Sequence, residues 1–218
     1  MNMWLVICMI VAGYLFGSIP FGYIIGKIKH IDIRDYGSGN SGTTNAFRTV
    51  GRVGGIFTFL GDYLKAFVPI LIIRFVLFKD EPYMHLLILI FGFACVLGHN
   101  FPVWLRFKGG KGIAVTAGVC SGLDFLIMPV GIVVFGTAVL ITKYVSIGSL
   151  LLSLIIPVWV VVRLNDDAYF PWLLGLCFLY TISAFIMHRK NIKRLLRHEE
   201  NKIGQRVKID TDNTSAAK

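Results

Sequence analysis

Charge is scarce in this chain, and acidic charge is scarcest. Only 16% of its 218 residues are charged, with 12 Asp and Glu against 22 Lys and Arg. A soluble globular domain carries about a quarter charged residues, so the composition argues against one. No carboxylate cluster suits a divalent metal. No Ser-His-Asp or Cys-His arrangement marks a covalent nucleophile. The Gly-x-x-x-x-Gly-Lys-Ser/Thr spacing of a P-loop never occurs. Cys8, Cys95, Cys120 and Cys177 lie in separate apolar stretches without metal-site spacing, and each reads as a small packing residue. Internal repeats and low-complexity tracts are missing. The opening MNMWLVICMI has no basic n-region, so it reads as a retained membrane span rather than a secretory signal.

What the chain has is apolar sequence in long runs: 56% of residues are hydrophobic and mean hydropathy is +0.71. It therefore reads as an all-α integral membrane protein. The runs cover residues 3–28, 54–78, 83–97, 113–142, 149–162 and 169–187, with short polar segments between them. Gly13, Gly17, Ser18 and Pro20 interrupt the first run, which predicts a kink or a close helix approach. Residues 113–142 make one long helix, or two short ones broken around Gly122-Leu123-Asp124. Basic charge decides between them. The split gives seven spans and puts 18 of the 22 Lys and Arg on one side. The positive-inside rule then predicts seven transmembrane helices, with the N-terminus outside and the C-terminus cytoplasmic. The net charge of +10 reads as orientation and attraction for anionic lipid or substrate, with no nucleic acid as partner. Residues 1–190 form the membrane domain. Residues 191–218 form a basic cytoplasmic tail, whose end at 210–218 is expected to be disordered.

The polar segments carry the chemistry. Residues 37–48, GSGNSGTTNAFR, set three glycines among small hydroxyl and amide side chains. Glycine lets successive N–H groups turn toward one anion. Ser38, Asn40, Thr43 and Thr44 add neutral donors, and Arg48 offers a planar fork for phosphate oxygens. Residues 98–112, GHNFPVWLRFKGGKG, end in Lys108-Gly109-Gly110-Lys111-Gly112 at the start of an apolar helix. Free N–H groups, the helix dipole and ammonium charge are expected to converge there on a second anion. A third segment, HRKNIKR at 188–194, puts His188 and Asn191 on one helical face. The plain alternatives are a flexible linker and topology anchors. All three segments fall on one side of the membrane, which points to two phosphorylated ligands or one ligand that passes a phosphate. Asp62 and Lys65, three residues apart within a span, form either a structural ion pair or part of a site.

Together these segments resemble the bacterial membrane acyl-phosphate:glycerol-3-phosphate acyltransferase family. The likeness rests on residues 37–51 (GSGNSGTTNAFRTVG), 98–114 (GHNFPVWLRFKGGKGIA) and 188–191 with the basic helix that follows. It departs at Arg197-His198-Glu199, where a glycine is expected before the acidic residue, and this leaves open whether Glu199 or Glu200 contributes. The resemblance implies a seven-span enzyme of the bacterial cytoplasmic membrane with short cytoplasmic glycine-rich active-site loops. The implied reaction moves a fatty acyl group from acyl phosphate to the 1-hydroxyl of glycerol 3-phosphate, giving lysophosphatidic acid, the first acylation of phospholipid synthesis. No cofactor and no metal is implied. Ser38, Arg48, His188 and Asn191 are implied as catalytic. Gly39, Asn40, Gly42, Thr43, Asn45, Lys108, Gly109, Gly110, Lys111, Gly112 and Ser149 are implied as substrate-binding, with loop 109–112 on the phosphate of glycerol 3-phosphate. The implied partners are fatty acyl phosphate, glycerol 3-phosphate, the lipid bilayer and the enzyme that makes the acyl phosphate; the oligomeric state is open. One rival pattern, His30-x-x-x-x-Asp35, matches the His–Asp pair of CoA-using glycerolipid acyltransferases, but the other blocks of that family are missing. The competing functional class is a transporter for a phosphorylated solute, disfavoured because the polar motifs cluster at one interface.

Overall fold

The computed structural model describes residues 2–205 of the chain. Residues 210–218, expected to be disordered, lie outside the described residues. Among the described residues all regular structure is helical. The first apolar run is two helices, α1 (Met3–Gly17) and α2 (Phe21–Ile28), broken just before the fixed ring of Pro20 meets the next turn. A short α3 (Thr43–Thr49) leads into α4 (Gly51–Ile72), which continues as a π-helical turn over Ile73–Leu77. Then come α5 (Met84–Asn100), α6 (Ile113–Leu123), α7 (Ile127–Thr142), α8 (Val145–Arg163), α9 (Phe170–Met187) and α10 (Arg189–Leu196).

Among the described residues, five stretches are long and apolar enough to cross a membrane: Met3–Ile28, Gly51–Leu77, Met84–Leu105, Val145–Arg163 and Phe170–Met187. The ambiguous run 113–142 is two shorter helices, α6 and α7. Their junction needs partners, because the last carbonyls of α6 have no donor within the helix. Arg74 supplies them from the π turn after α4: its Nη1 donates to the Gly122 and Leu123 carbonyls at 2.9 and 2.6 Å. Asp124 then accepts from the Leu126 N–H at 3.0 Å and from Trp159 Nε1 at 3.1 Å.

Helix α5 is the hub. Leu87, Ile88 and Cys95 on it are fully buried. Gly13 and Gly17 of α1 face the Phe91 and Cys95 carbonyls of α5 so closely that a Cβ would strike backbone. The same holds for Gly98 of α5 against Tyr14. Small residues thus set the α1–α5 spacing. In α8, Pro157 leaves the Ser153 carbonyl without its usual donor, and Thr181 Oγ1 of α9 donates to it at 2.7 Å. Val133, Val158 and Ile182 point outward on α7, α8 and α9, as lipid-facing residues do.

Candidate active site

A cavity of about 560 Å³ opens where the three polar segments meet. Its first wall is the loop ahead of α3. Asn45 is buried and builds this loop: its Oδ1 accepts the Ser38 N–H at 2.9 Å, and its Nδ2 donates to the Ile33 and Tyr36 carbonyls at 2.7 and 3.1 Å. Gly37 and Gly39 turn the chain through φ of 64° and 67°, which brings Ser38 to the cavity. Asn40 joins the two glycine segments, accepting from the Gly42 N–H at 2.9 Å and donating to the Gly109 carbonyl at 3.1 Å. Asn40 and Asn45 therefore use their amides to shape the loop. Gly39 sits behind it, outside the cavity lining. Thr43, Gly42 and Arg48 line the cavity, and Thr43 Oγ1 is buried without a partner among the described residues.

The second wall corrects one expectation. The Gly109 and Gly110 N–H groups are not free for an anion. They donate to the Asn100 and His99 carbonyls at 3.2 and 3.0 Å, because the loop doubles back onto the end of α5 and meets its unsatisfied carbonyls. Both residues are glycine for want of space: a Cβ at Gly109 would strike the His99 carbonyl, and one at Gly110 the His99 imidazole. Gly112, at φ 81°, caps α6 and turns its first residues, Ile113 and Ala114, to the cavity. Lys111 lines the cavity, whereas Lys108 is exposed and does not.

The third wall comes from the chain after α9. Lys111 Nζ donates to Asn191 Oδ1 at 2.6 Å, and Asn191 Nδ2 donates to Glu200 Oε1 at 2.6 Å. Arg194 Nε donates to Glu200 Oε2 at 2.7 Å, and Ser146 Oγ reaches Glu200 Oε1 at 3.2 Å. Arg48 Nη2 donates to the Asn201 carbonyl at 3.3 Å. The acidic residue of the tail is thus Glu200, while Glu199 is exposed. His198 takes φ 58°, a left-handed conformation that glycine adopts freely, which explains why a glycine suits this region. His188 donates from Nδ1 to the Ala184 carbonyl at 2.8 Å, which leaves Nε2 as an acceptor. Ser149 lines the cavity and donates to the Val145 carbonyl at 2.9 Å. His30 and Asp35 are exposed and outside the lining, so the rival pattern has no place here.

Burial sets the protonation of this head. It pushes Lys111 down to about 8; Glu200 opposes the shift, and Arg194 and Arg48 add to it. Burial, helped by the Lys111 charge, brings His188 down to about 4, so its imidazole is neutral at physiological pH. Burial works to raise the Glu200 carboxyl, but the hydrogen bonds from Arg194 and Asn191 outweigh it and hold the group below its ordinary value.

Below the polar head the cavity is apolar. Phe59, Leu60 and Tyr63 of α4, Ala117 and Cys120 of α6, Met128, Ile132 and Phe135 of α7, and Leu152 and Ile156 of α8 line it. Asp62 and His99 join the lining, and Asp62 pairs with Lys65 at 2.8 Å. Sequence reasoning missed Ser146, Arg194 and His99 as neighbours of the site. His99 and Arg194 each had a signal, their places in the second and third polar segments; Ser146 had none.

The family model for glycerol-3-phosphate acyltransferase matches residues 7–198. Curated glycerol-3-phosphate acyltransferases resemble the chain along its length. The protein of Pelagibacter ubique is 41% identical over 88% of this chain and 94% of its own. That of Acholeplasma laidlawii is 39% identical over 94% of this chain and 97% of its own. Among solved structures, the glycerol 3-phosphate form of PlsY (YgiH), described as an integral membrane glycerol 3-phosphate acyltransferase, superposes with a TM-score of 0.81. It is 33% identical and covers 91% of this chain and 96% of its own. The lysophosphatidic acid form of the same protein gives 0.79, at 32% identity over 92% and 96%.

Proposed function

Because the chain belongs to the glycerol-3-phosphate acyltransferase family, we propose that it moves a fatty acyl group from acyl phosphate to the 1-hydroxyl of glycerol 3-phosphate. The products are 1-acyl-glycerol-3-phosphate (lysophosphatidic acid) and inorganic phosphate. The observation that carries this reading is one cavity with two chemistries: a head bearing Arg48 and Lys111, continuous with an apolar trough between α4, α6, α7 and α8. A water-soluble phosphorylated acceptor and a lipid-tailed phosphate donor meet in such a space.

Acyl phosphate is a mixed anhydride with a good leaving group, so positioning and charge stabilisation suffice. Lys111 and the first amides of α6 hold the acceptor phosphate. Arg48, Ser38 and the free Thr43 hydroxyl face the phosphate of the donor. The acceptor oxygen attacks the acyl carbonyl carbon; the ester bond forms as the carbonyl-to-phosphate bond breaks, and the electron pair leaves with phosphate. The hydroxyl proton ends on that phosphate, and His188 Nε2 is the protein group available to carry it. Asn191 and Glu200 hold Lys111 in place from behind. In this reading α6 and α7 each cross the bilayer as short helices, and the basic loops put the site on the cytoplasmic side of a bacterial cell membrane.

The test uses palmitoyl phosphate labelled in its phosphorus. Released phosphate should match lysophosphatidic acid one for one, and Arg48→Ala should abolish both. Phosphate release without acylation, at saturating glycerol 3-phosphate, would make the protein a phosphatase instead.

A further inference from the structure

One residue that lines the cavity has a buried carboxylate oxygen with no partner among the described residues. Asp62 and Lys65 form an ion pair at 2.8 Å in α4, with side chains 1% and 2% exposed. Lys65 Nζ also donates to the Ile19 carbonyl at 2.8 Å, at the break between α1 and α2, and lies 3.0 Å from His99 Nδ1. The three ammonium hydrogens thus meet three acceptors, and Asp62 is held through Oδ1. Its Oδ2 is buried and bonded to nothing among the described residues. Asp62 lines the same cavity as Ser38, Arg48 and Lys111. One imidazole separates it from the Lys111 loop: His99 Nδ1 stands 3.3 Å from Asp62 Oδ1, and the ring packs against Gly110.

A buried carboxylate oxygen without a donor is costly, and folded proteins rarely leave one so. The ligand group that satisfies it is a hydroxyl, since a phosphate would be repelled and an acyl chain has no donor. Glycerol 3-phosphate carries two hydroxyls, and the 1-hydroxyl loses its proton in the reaction. The 2-hydroxyl keeps its own from substrate to product. We propose that Asp62 Oδ2 accepts the hydrogen bond of the acceptor's 2-hydroxyl, which makes Asp62 a specificity-determining residue. This rests on the acyl-transfer reading above. A site built around such a bond rejects an analogue that lacks the hydroxyl, because the buried acceptor is then left unpaired.

Three acceptors test this on the unaltered protein in lipid with palmitoyl phosphate: glycerol 3-phosphate, its analogue with hydrogen at carbon 2 (3-hydroxypropyl phosphate), and its 2-fluoro analogue. Fluorine donates no hydrogen bond and faces the carboxylate with negative charge. The expected kcat/KM order is hydroxyl, then hydrogen, then fluorine, with a loss of about tenfold to a hundredfold at the first step. Asp62→Asn keeps an oxygen for Lys65 and turns an amide N–H to the cavity. It should raise fluorine above hydrogen, because the amide N–H donates to fluorine, while the hydroxyl acceptor, whose oxygen accepts the same bond, stays ahead of both. Equal turnover of hydroxyl and hydrogen acceptors, or fluorine equal to or above hydrogen in the unaltered protein, overturns the proposal whether or not the variant folds. So does a folded Asp62→Asn protein that keeps the unaltered protein's order of the three acceptors. If glycerol 3-phosphate itself is not acylated, it is the functional reading that fails.

Discussion

Replacing Gly110 with alanine tests why a glycine stands in the Lys111 loop. An added Cβ would lie on the His99 ring, 2.7 Å from Cε1 and 2.8 Å from Cδ2 and closer still to Nε2. His99 is 6% exposed and its Nδ1 lies 3.0 Å from Lys65 Nζ, so the ring has nowhere to swing. The loop must move instead. Overpacking of this kind costs about 1–3 kcal/mol. The next residue is Lys111, whose 2.6 Å bond to Asn191 marks how tightly it is placed. If the strain is relieved by displacing Lys111, kcat/KM for glycerol 3-phosphate falls about 5- to 100-fold, mostly through KM. The assay is lysophosphatidic acid formation across a range of glycerol 3-phosphate at saturating acyl phosphate. Removing the obstacle should undo the damage: measured against His99→Ala alone, the double variant His99→Ala/Gly110→Ala should show little further loss. An unaltered KM in Gly110→Ala, or equal damage in both backgrounds, would refute the steric account.

Further outcomes follow from the polar head. With Lys111 brought down to about 8 by burial, its ammonium is lost as pH rises through that value. The kcat/KM for glycerol 3-phosphate should therefore fall on the alkaline side with a midpoint near 8, and Lys111→Arg should abolish this limb in a pH series. Glu200→Gln removes the charge that supports Lys111 and turns an amide against the donors from Arg194 or Asn191. Activity should drop about tenfold or more, and the alkaline limb should move below its original midpoint; a limb that stays in place refutes the coupling. His198→Gly frees a left-handed position at φ 58°, so thermal unfolding should show a protein at least as stable, by up to about 1 kcal/mol, with activity retained. A clear fall in stability would mean that His198 makes a contact which outweighs its strain.

Much of the site was legible before any coordinates. Polar, glycine-rich segments stand out in an apolar chain because each must face water, a ligand or a protein partner. The break at Gly122-Leu123-Asp124 was readable from basic charge, although the guanidinium of Arg74 that caps it is distant in sequence. What sequence reasoning misassigned was the use of backbone amides. Gly109 and Gly110 look like an anion cradle, yet their glycines answer to the crowding of His99, a neighbour only in space. Asn40 and Asn45 do line the cavity, and what the sequence could not tell is that they also build the loop, through bonds to the Gly109 and Ile33 carbonyls. Glu200 needed the fold as well: only the left-handed turn at His198 brings the chain back so that this carboxylate, and not Glu199, meets Asn191. The Asp62–Lys65 pair was expected from spacing, but its third member comes from α5.

The central claim is the identity of the donor, and it is tested most directly by supplying the purified protein in lipid with glycerol 3-phosphate and either palmitoyl phosphate or palmitoyl-CoA. The cavity joins a head bearing Arg48 and Lys111 to an apolar trough; on the proposed reaction, lysophosphatidic acid forms from palmitoyl phosphate and none forms from the CoA ester. Product from palmitoyl-CoA and none from palmitoyl phosphate would contradict it.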